Sequence, residues 1–242
     1  MTNVKPSLDP SNKNSLTGTL EHFFKKKMQK IDSCMPAVIV SYDRDKNRAN
    51  VKPLIALLAT DNTTKSKPQI ASVPVFNIGG GGFIISFPLK PGNLGWLIAN
   101  DRDISLFLNQ YSEQKPNTQR IKTFEDGFFL PDPMTGYTID GEDNDSAVFQ
   151  KLDGTLKITF SNDSIKIKAP TNVTVEAPQI DLKGNTTVHG NFTVTGNSTI
   201  QGSEQINTNI TVNGKATVLA NIASGANITA AGSITPGVPI PP

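Results

Sequence analysis

Residues 185–232 read NTTVHG NFTVTG NSTIQG SEQINT NITVNG KATVLA NIASGA NITAAG, eight hexads in unbroken succession. Valine or isoleucine fills position four of the first six (Val188, Val194, Ile200, Ile206, Val212, Val218), and position two turns apolar at Phe192, Ile210, Ile222 and Ile228. Side chains alternate across a strand, so positions two and four share one face and the threonines at position three take the other. An even period preserves that parity from one hexad to the next. Glycine at position six (Gly190, Gly196, Gly202, Gly214, Gly232) is placed to supply a corner. A short fixed period rich in β-branched residues marks a stacked β-helix, with one strand and one corner per repeat, apolar inside and hydroxyl-rich outside.

One or two apolar side chains per hexad bury too little surface to offset the ordering entropy of six residues, so a single chain is not expected to close this rod. Three chains wound about a threefold axis would bring the valine and isoleucine layers together and remove the free strand edges. A homotrimer is the expectation. Upstream the period lengthens. Strand-like pieces at Leu156–Phe160, Ser164–Lys168, Val173–Glu176 and Ile180–Lys183 are separated by Ser161-Asn162-Asp163, by Ala169-Pro170-Thr171-Asn172 and by Ala177-Pro178. The rod should therefore taper towards the C-terminus. About 12 layers at about 4.8 Å make a needle of about 60 Å, longer than the about 30 Å of a bilayer's hydrocarbon core.

The bulk composition suits a rod joined to one ordinary domain. The chain has 242 residues, a formal net charge of +2, and a single cysteine. Trp96, Tyr42, Tyr111 and Tyr137 all precede residue 161, so the aromatic core is expected in the N-terminal half. No basic stripe interleaved with aromatics points to nucleic acid. Cys34 precedes Met35-Pro36 and the apolar run Ala37-Val38-Ile39-Val40, where a buried structural thiol is expected. The start of the chain lacks the charged and apolar regions of a secretion signal, and no apolar run has the length of a membrane-spanning helix. The expected product is soluble.

Residues 1–14 are rich in Pro, Ser, Asn and Lys and read as a flexible arm. Leu16, Leu20, Phe23, Phe24, Met28 and Ile31 then fall at helical spacing beside Lys25, Lys26, Lys27 and Lys30, which predicts an amphipathic helix. Two readings stand: a helix packed on its own domain, or one whose Leu16, Leu20, Phe23, Phe24 and Met28 dock on a larger hub. From Pro36 the pattern becomes short strands, Ala37–Tyr42, Arg48–Leu58, Ser72–Asn77, Phe83–Pro88 and Leu94–Ala99. Their spacing predicts a small Greek-key barrel of the oligonucleotide/oligosaccharide-binding (OB) type. Gly79-Gly80-Gly81-Gly82 lacks the lysine and hydroxyl residue of a phosphate-binding loop and reads as a hairpin tip.

Three stretches carry a resemblance: PAVIVSYDRDKNRANVKPLI (Pro36–Ile55), SVPVFNIGGGGFIISFPLKPGNLGWLIANDRDIS (Ser72–Ser105) and TQRIKTFEDGFFLPDPM (Thr118–Met134). The Pro-x-x-Pro-Gly-x-x-Gly-Trp run at Pro88–Trp96, the Asp-Arg-Asp at Asp101–Asp103, and Asp126-Gly127-Phe128-Phe129 before Pro131 are distinctive together. This region resembles the N-terminal domain of the membrane-piercing central spike proteins of contractile-tailed bacteriophages. The resemblance implies a trimeric collar, then a triple-stranded β-helix whose tip meets the host envelope, assembled into the virion tail baseplate.

The chain departs from that family at the tip, where a His-x-His pair from each chain often holds an iron ion on the axis. No such pair occurs here. His22 lies on the predicted helix, and His189 sits at position five of its hexad, opposite in parity to the apolar positions, so no metal and no cofactor are expected. The last segment, Ser233-Ile234-Thr235-Pro236-Gly237-Val238-Pro239-Ile240-Pro241-Pro242, cannot continue a ladder because proline donates no backbone hydrogen bond. It is expected to cap the needle as a plug of Ile234, Val238 and Ile240, or else to bind a separate small tip protein.

The expected organisation is mainly β: an arm and docking helix at 1–35, an OB-like collar at 36–135, a connector at 136–154, the needle at 155–232 and a proline-rich cap at 233–242. After Gly184 the charged side chains are Glu204 and Lys215 alone, which suits a surface dragged through hydrocarbon, where each charge costs several kcal/mol. Asn-x-Thr/Ser triplets such as Asn191-Phe192-Thr193 and Asn209-Ile210-Thr211 read as corner asparagines. No Ser/His/acid set or His/Cys metal spacing suggests catalysis. Glu125, Asp126 and Asp132, in an apparent turn after the barrel, are expected to bind backbone or arginine. The expected function is mechanical: piercing the host outer membrane, with partners in a baseplate hub at one end and the host envelope at the other. The alternatives are a trimeric tail fibre or receptor-binding adhesin, and, less favoured, a hexapeptide-repeat acyltransferase. The acyltransferase pattern places glycine directly after the aliphatic residue and needs a catalytic histidine.

Overall fold

The alternation that decides the barrel begins at β1 (Cys34–Asp43), where Ala37 and Ile39 turn inward and their neighbours outward. The structure, a computed structural model, describes residues 15–58 and 63–219. The chain divides into two units, Met1–Val175 and Glu176–Pro242. In the first, β1 pairs antiparallel with β2 (Arg48–Pro53), whose Ala49, Val51 and Pro53 face the same interior. One short ladder, β3 (Leu57–Leu58) with β4 (Thr64–Lys65), precedes β5 (Ile70–Pro74), which adds to the outer edge of β2.

The glycine run forms the expected hairpin tip. In the hairpin of β6 (Ile78–Gly80) and β7 (Phe83–Ile85), Gly81 and Gly82 take φ of 59° and 87°, the positive values that a primed two-residue turn needs at both central positions. Strand β8 (Leu94–Asn100) then pairs with the other side of β1. After a short helix, α2 (Phe107–Gln110), strand β9 (Thr123–Pro131) pairs with β8.

The resulting order, β5-β2-β1-β8-β9, is almost closed into a barrel. A parallel bridge joins Val75 to Phe129, and the Phe76 N–H donates to the Phe129 carbonyl at 2.8 Å. Phe124, Phe129, Leu97, Ile39, Val51 and Val73 fill the interior. The fold class is thus mainly β with an OB-like barrel.

Several expectations need correction. Strand β9 occupies the stretch expected as a turn, so the barrel's fifth strand is Thr123–Pro131 and the Phe83–Pro88 piece is a hairpin arm outside the main sheet. The Arg48–Leu58 piece breaks after Pro53. Cys34 is exposed, not buried: it shares the outward parity of β1, opposite to Ala37 and Ile39. The expected connector contains a strand, β10 (Ala147–Gln150), which pairs with β11 (Lys157–Phe160); β11 in turn pairs with β12 (Ile165–Lys168), and the three form an antiparallel sheet. The first two expected rod strands therefore pair with each other and with β10, within one chain.

Beyond residue 170 the described chain carries no ladder, including at Val173–Glu176 and Ile180–Lys183. It nevertheless keeps time. In the second unit the backbone bends at 189–190, 195–196, 201–202, 207–208 and 213–214, so the corners fall at positions five and six of the first five hexads. Gly190, Gly196, Gly202 and Gly214 do not adopt positive φ, and a Cβ on any of them would meet open space. Within one chain, then, the corner does not require glycine.

Candidate assembly surfaces

Helix α1 (Leu16–Met28) starts at Ser15, whose hydroxyl oxygen accepts from the Gly18 N–H at 3.0 Å, the usual N-cap device. Leu16, Leu20, Phe23, Phe24 and Met28 are all exposed along it. The Phe23 and Phe24 rings meet edge to face at 6.1 Å, and Lys27 Nζ lies 5.6 Å from the Phe23 ring. The reading in which this helix packs on its own domain does not hold within the single chain. His22 and His189 are both exposed.

The residues that carried the resemblance lie together around β8 and β9. Gly95 is buried against Phe129 and Leu130, where any Cβ would collide with ring and carbonyl. The Trp96 indole N–H donates to Asp132 Oδ2 at 2.7 Å, and Asp132 Oδ1 accepts from the Met134 N–H at 2.7 Å. The loop 101–122 is held by two buried carboxylates. Asp103 accepts from the Ser105 N–H at 2.9 Å and the Thr118 hydroxyl at 2.7 Å. Asp126 accepts from Arg120 Nη2 at 2.8 Å and the Thr123 hydroxyl at 3.0 Å. Arg120 also lies 3.4 Å from Asp103. Ser105 first, and then the Thr118 hydroxyl, hold Asp103 well below the ordinary carboxylate range. The expectation that Asp126 and Asp132 bind backbone and arginine describes their roles here. They tie a loop down.

A second charged cluster closes one side of the β10–β12 sheet. Lys157 is fully buried, and its Nζ reaches Asp140 at 2.6 Å, Glu142 at 3.4 Å and Asp143. These carboxylates sit on and beside a 3-10 turn at Gly141–Asp143. The hydrogen bonds Lys157 donates, first to Asp140 and then to Asp143, hold its ammonium above its ordinary range, and the same lysine lowers Asp140. Asp140, Glu142 and Asp143 have the mutual spacing of metal ligands, but the ammonium already occupies the point on which they converge.

The opposite side of this sheet is bare. Cross-strand pairs align Phe149 with Ile158 and Ile158 with Ile167, and Ala147 with Phe160 and Phe160 with Ile165, which puts all six on one face. Phe149 is 52% exposed, Phe160 48%, Ile165 68% and Ile167 58%. The same holds downstream for the expected rod core. Val188, Phe192, Val194, Ile200, Ile206, Ile210, Val212 and Val218 are all exposed in the single chain. Ile222, Ile228 and the cap residues Ile234, Pro236, Val238, Pro239, Ile240, Pro241 and Pro242 lie outside the described residues.

The side chains that sequence patterning missed are Lys157, Asp143, Asp103 and Arg120. Among them only Asp103 belonged to a noted motif. No curated protein matches the chain. Residues 35–132, the barrel from β1 to the end of β9, match the family described as Phage protein Gp138 N-terminal domain. This domain-level match supports a structural protein of a phage, with a virion-associated location.

Proposed function

We propose that the protein is the central spike of a contractile phage baseplate, a homotrimer that pierces the host outer membrane mechanically on sheath contraction. In this reading the barrel is the collar and the hexads of three chains intertwine into a triple-stranded β-helix. One observation carries it: downstream of a phage-type barrel the chain bends every six residues and exposes an aliphatic side chain at every turn. Apolar residues repeated in that way are stabilised only by copies of themselves, since no other part of the repeat is apolar enough to cover them. The open space beside the corner glycines leaves room for neighbouring backbones.

The remaining parts take roles consistent with this. The exposed apolar stripe of α1 docks on a tail hub, and the near-absence of charge between Gly184 and Leu219, where Glu204 and Lys215 stand alone, lowers the cost of entering hydrocarbon. The rod transmits force and has no catalytic step or cofactor. The C-terminal segment closes the tip against the envelope. Native mass and negative-stain imaging of the purified chain test the reading together. The expected particle is a trimer with a collar and a needle of about 60 Å. A monomer, a squat prism or a rod ending in a globular head would overturn it.

A further inference from the structure

The hexads leave a problem of register. At position four Val188, Val194, Ile200, Ile206, Val212 and Val218 recur at one spacing, so sliding one chain past its neighbours by six residues at most exchanges valine for isoleucine there and keeps every corner aligned; among the described hexads Phe192 and Ile210, at position two, are the inward-parity apolar residues that break the repeat. A pattern that survives a slip specifies register weakly. Two side chains in the described hexads resist the slip, which leaves room for a stronger determinant outside the repeat.

The β10–β12 sheet has the required property. Its polar side, with Lys157 and Thr159 buried, is closed by the chain's own 3-10 turn. Its other side presents Phe149, Ile158, Phe160, Ile165 and Ile167 without a charge among them. Six residues from Phe149 stand Asp143 and Thr155, and six from Phe160 stand Gly154 and Lys166, so a slipped alignment would set both rings against residues that cannot replace them.

We propose that this face packs against the same face of two other copies of the chain, and that this non-repeating apolar layer sets the register of the hexad rod. The proposal rests on the homotrimeric reading above. A second copy is the occupant because the apolar stripe continues in sequence from Ile167 through Val173, Val175, Ile180 and Leu182, all exposed, to the hexads. Copies drawn together at 188–218 present their 149–167 segments to one another at the high effective concentration of a short tether. Identical apolar faces then meet around a closed axis.

The test uses full-length chains with Cys34→Ser, carrying either Ile206→Cys or Val212→Cys, co-expressed and mildly oxidised, with disulfide-linked peptides identified by mass spectrometry. With the sheet intact, 206–206 and 212–212 links are expected and 206–212 links are not. In chains also carrying Phe149→Ser, Phe160→Ser and Ile167→Ser, 206–212 links should rise at least about fivefold while the native mass stays trimeric, as a weakly specified register requires. These side chains are exposed in the single chain, so Trp96 fluorescence should report an unchanged barrel. If the triple variant becomes monomeric while its parent is trimeric, the face is an assembly contact, and Phe160→Ser alone then reports the register. Trimers whose links stay 206–206 and 212–212 in both variants would overturn the proposal and leave the trimer standing. A monomeric parent would remove both.

Discussion

Phe129 shows how one side chain organises the barrel. It is fully buried on β9, pairs with Leu97 on β8, and its carbonyl receives the Phe76 N–H that brings the ends of the sheet together. Its ring occupies the place a side chain on Gly95 would need, so the glycine and the phenylalanine are one packing unit. Phe129→Ala should cost about 3–5 kcal/mol, read from the shift of a urea unfolding curve. Asp103 supports a different prediction. Its carboxyl titrates lower in the folded protein than its ordinary 3.8, so between those two values the unfolded chain binds more protons. Stability from this group is therefore complete above about pH 4 and is lost as the pH falls towards the folded value. Thermal melts from about pH 5 down to pH 2 should fall less steeply in Asp103→Asn than in the parent, because the substituted group no longer titrates. The buried Lys157 could not be read from Lys157-Ile158-Thr159-Phe160. That alternation assigns the aliphatic residues to one face, but nothing local says that the chain buries the lysine face on itself; only the acids at 140–143 decide it.

At the scale of elements, the hairpin at Gly81-Gly82, the amphipathic helix from Leu16 and the hexad corners were all readable, because each rests on residues close in sequence. Strand β9 was not. Thr123-Phe124-Glu125-Asp126-Gly127 carries three turn-forming or acidic residues, and its place in the sheet depends on Arg120 neutralising Asp126 and on close approach of Gly127 to Ile98. Those contacts are tertiary. The same distinction explains why the Phe83–Pro88 piece, apolar and strand-like, lies outside the main sheet. The hexads yield an element-scale prediction. Deleting residues 191–196 removes one repeat and preserves parity, so the proposed trimer should keep its native mass and its melting temperature change little. Deleting 191–193 alone reverses the facing of every downstream residue, and the assembly should lose its trimeric mass or its rod in negative-stain images.

For the whole molecule, the barrel was readable as a class, down to its OB-like form, whereas the three-stranded sheet was not, since β10 lies in a stretch of turn residues and pairs only once β11 is in place. A protein whose apolar stripe is covered by copies of itself has a stability tied to concentration, so the melting temperature should climb with protein concentration and level off once assembly is saturated. An unchanging melting point from dilute to concentrated solution, at monomeric mass, would contradict the self-associated state. The two-sided sheet carries a last consequence, and it is genetic. Its polar side is closed within each chain, so the face proposed to meet other chains is already shaped once the chain has been made as far as Lys168 of its 242 residues. On the proposed trimeric reading, a nonsense allele ending near residue 200 would still supply that part, enter mixed assemblies and leave them with blunt tips. Co-expressed with an intact allele it should poison infectivity well beyond its share of the chains, whereas an allele stopping before β10 should be recessive.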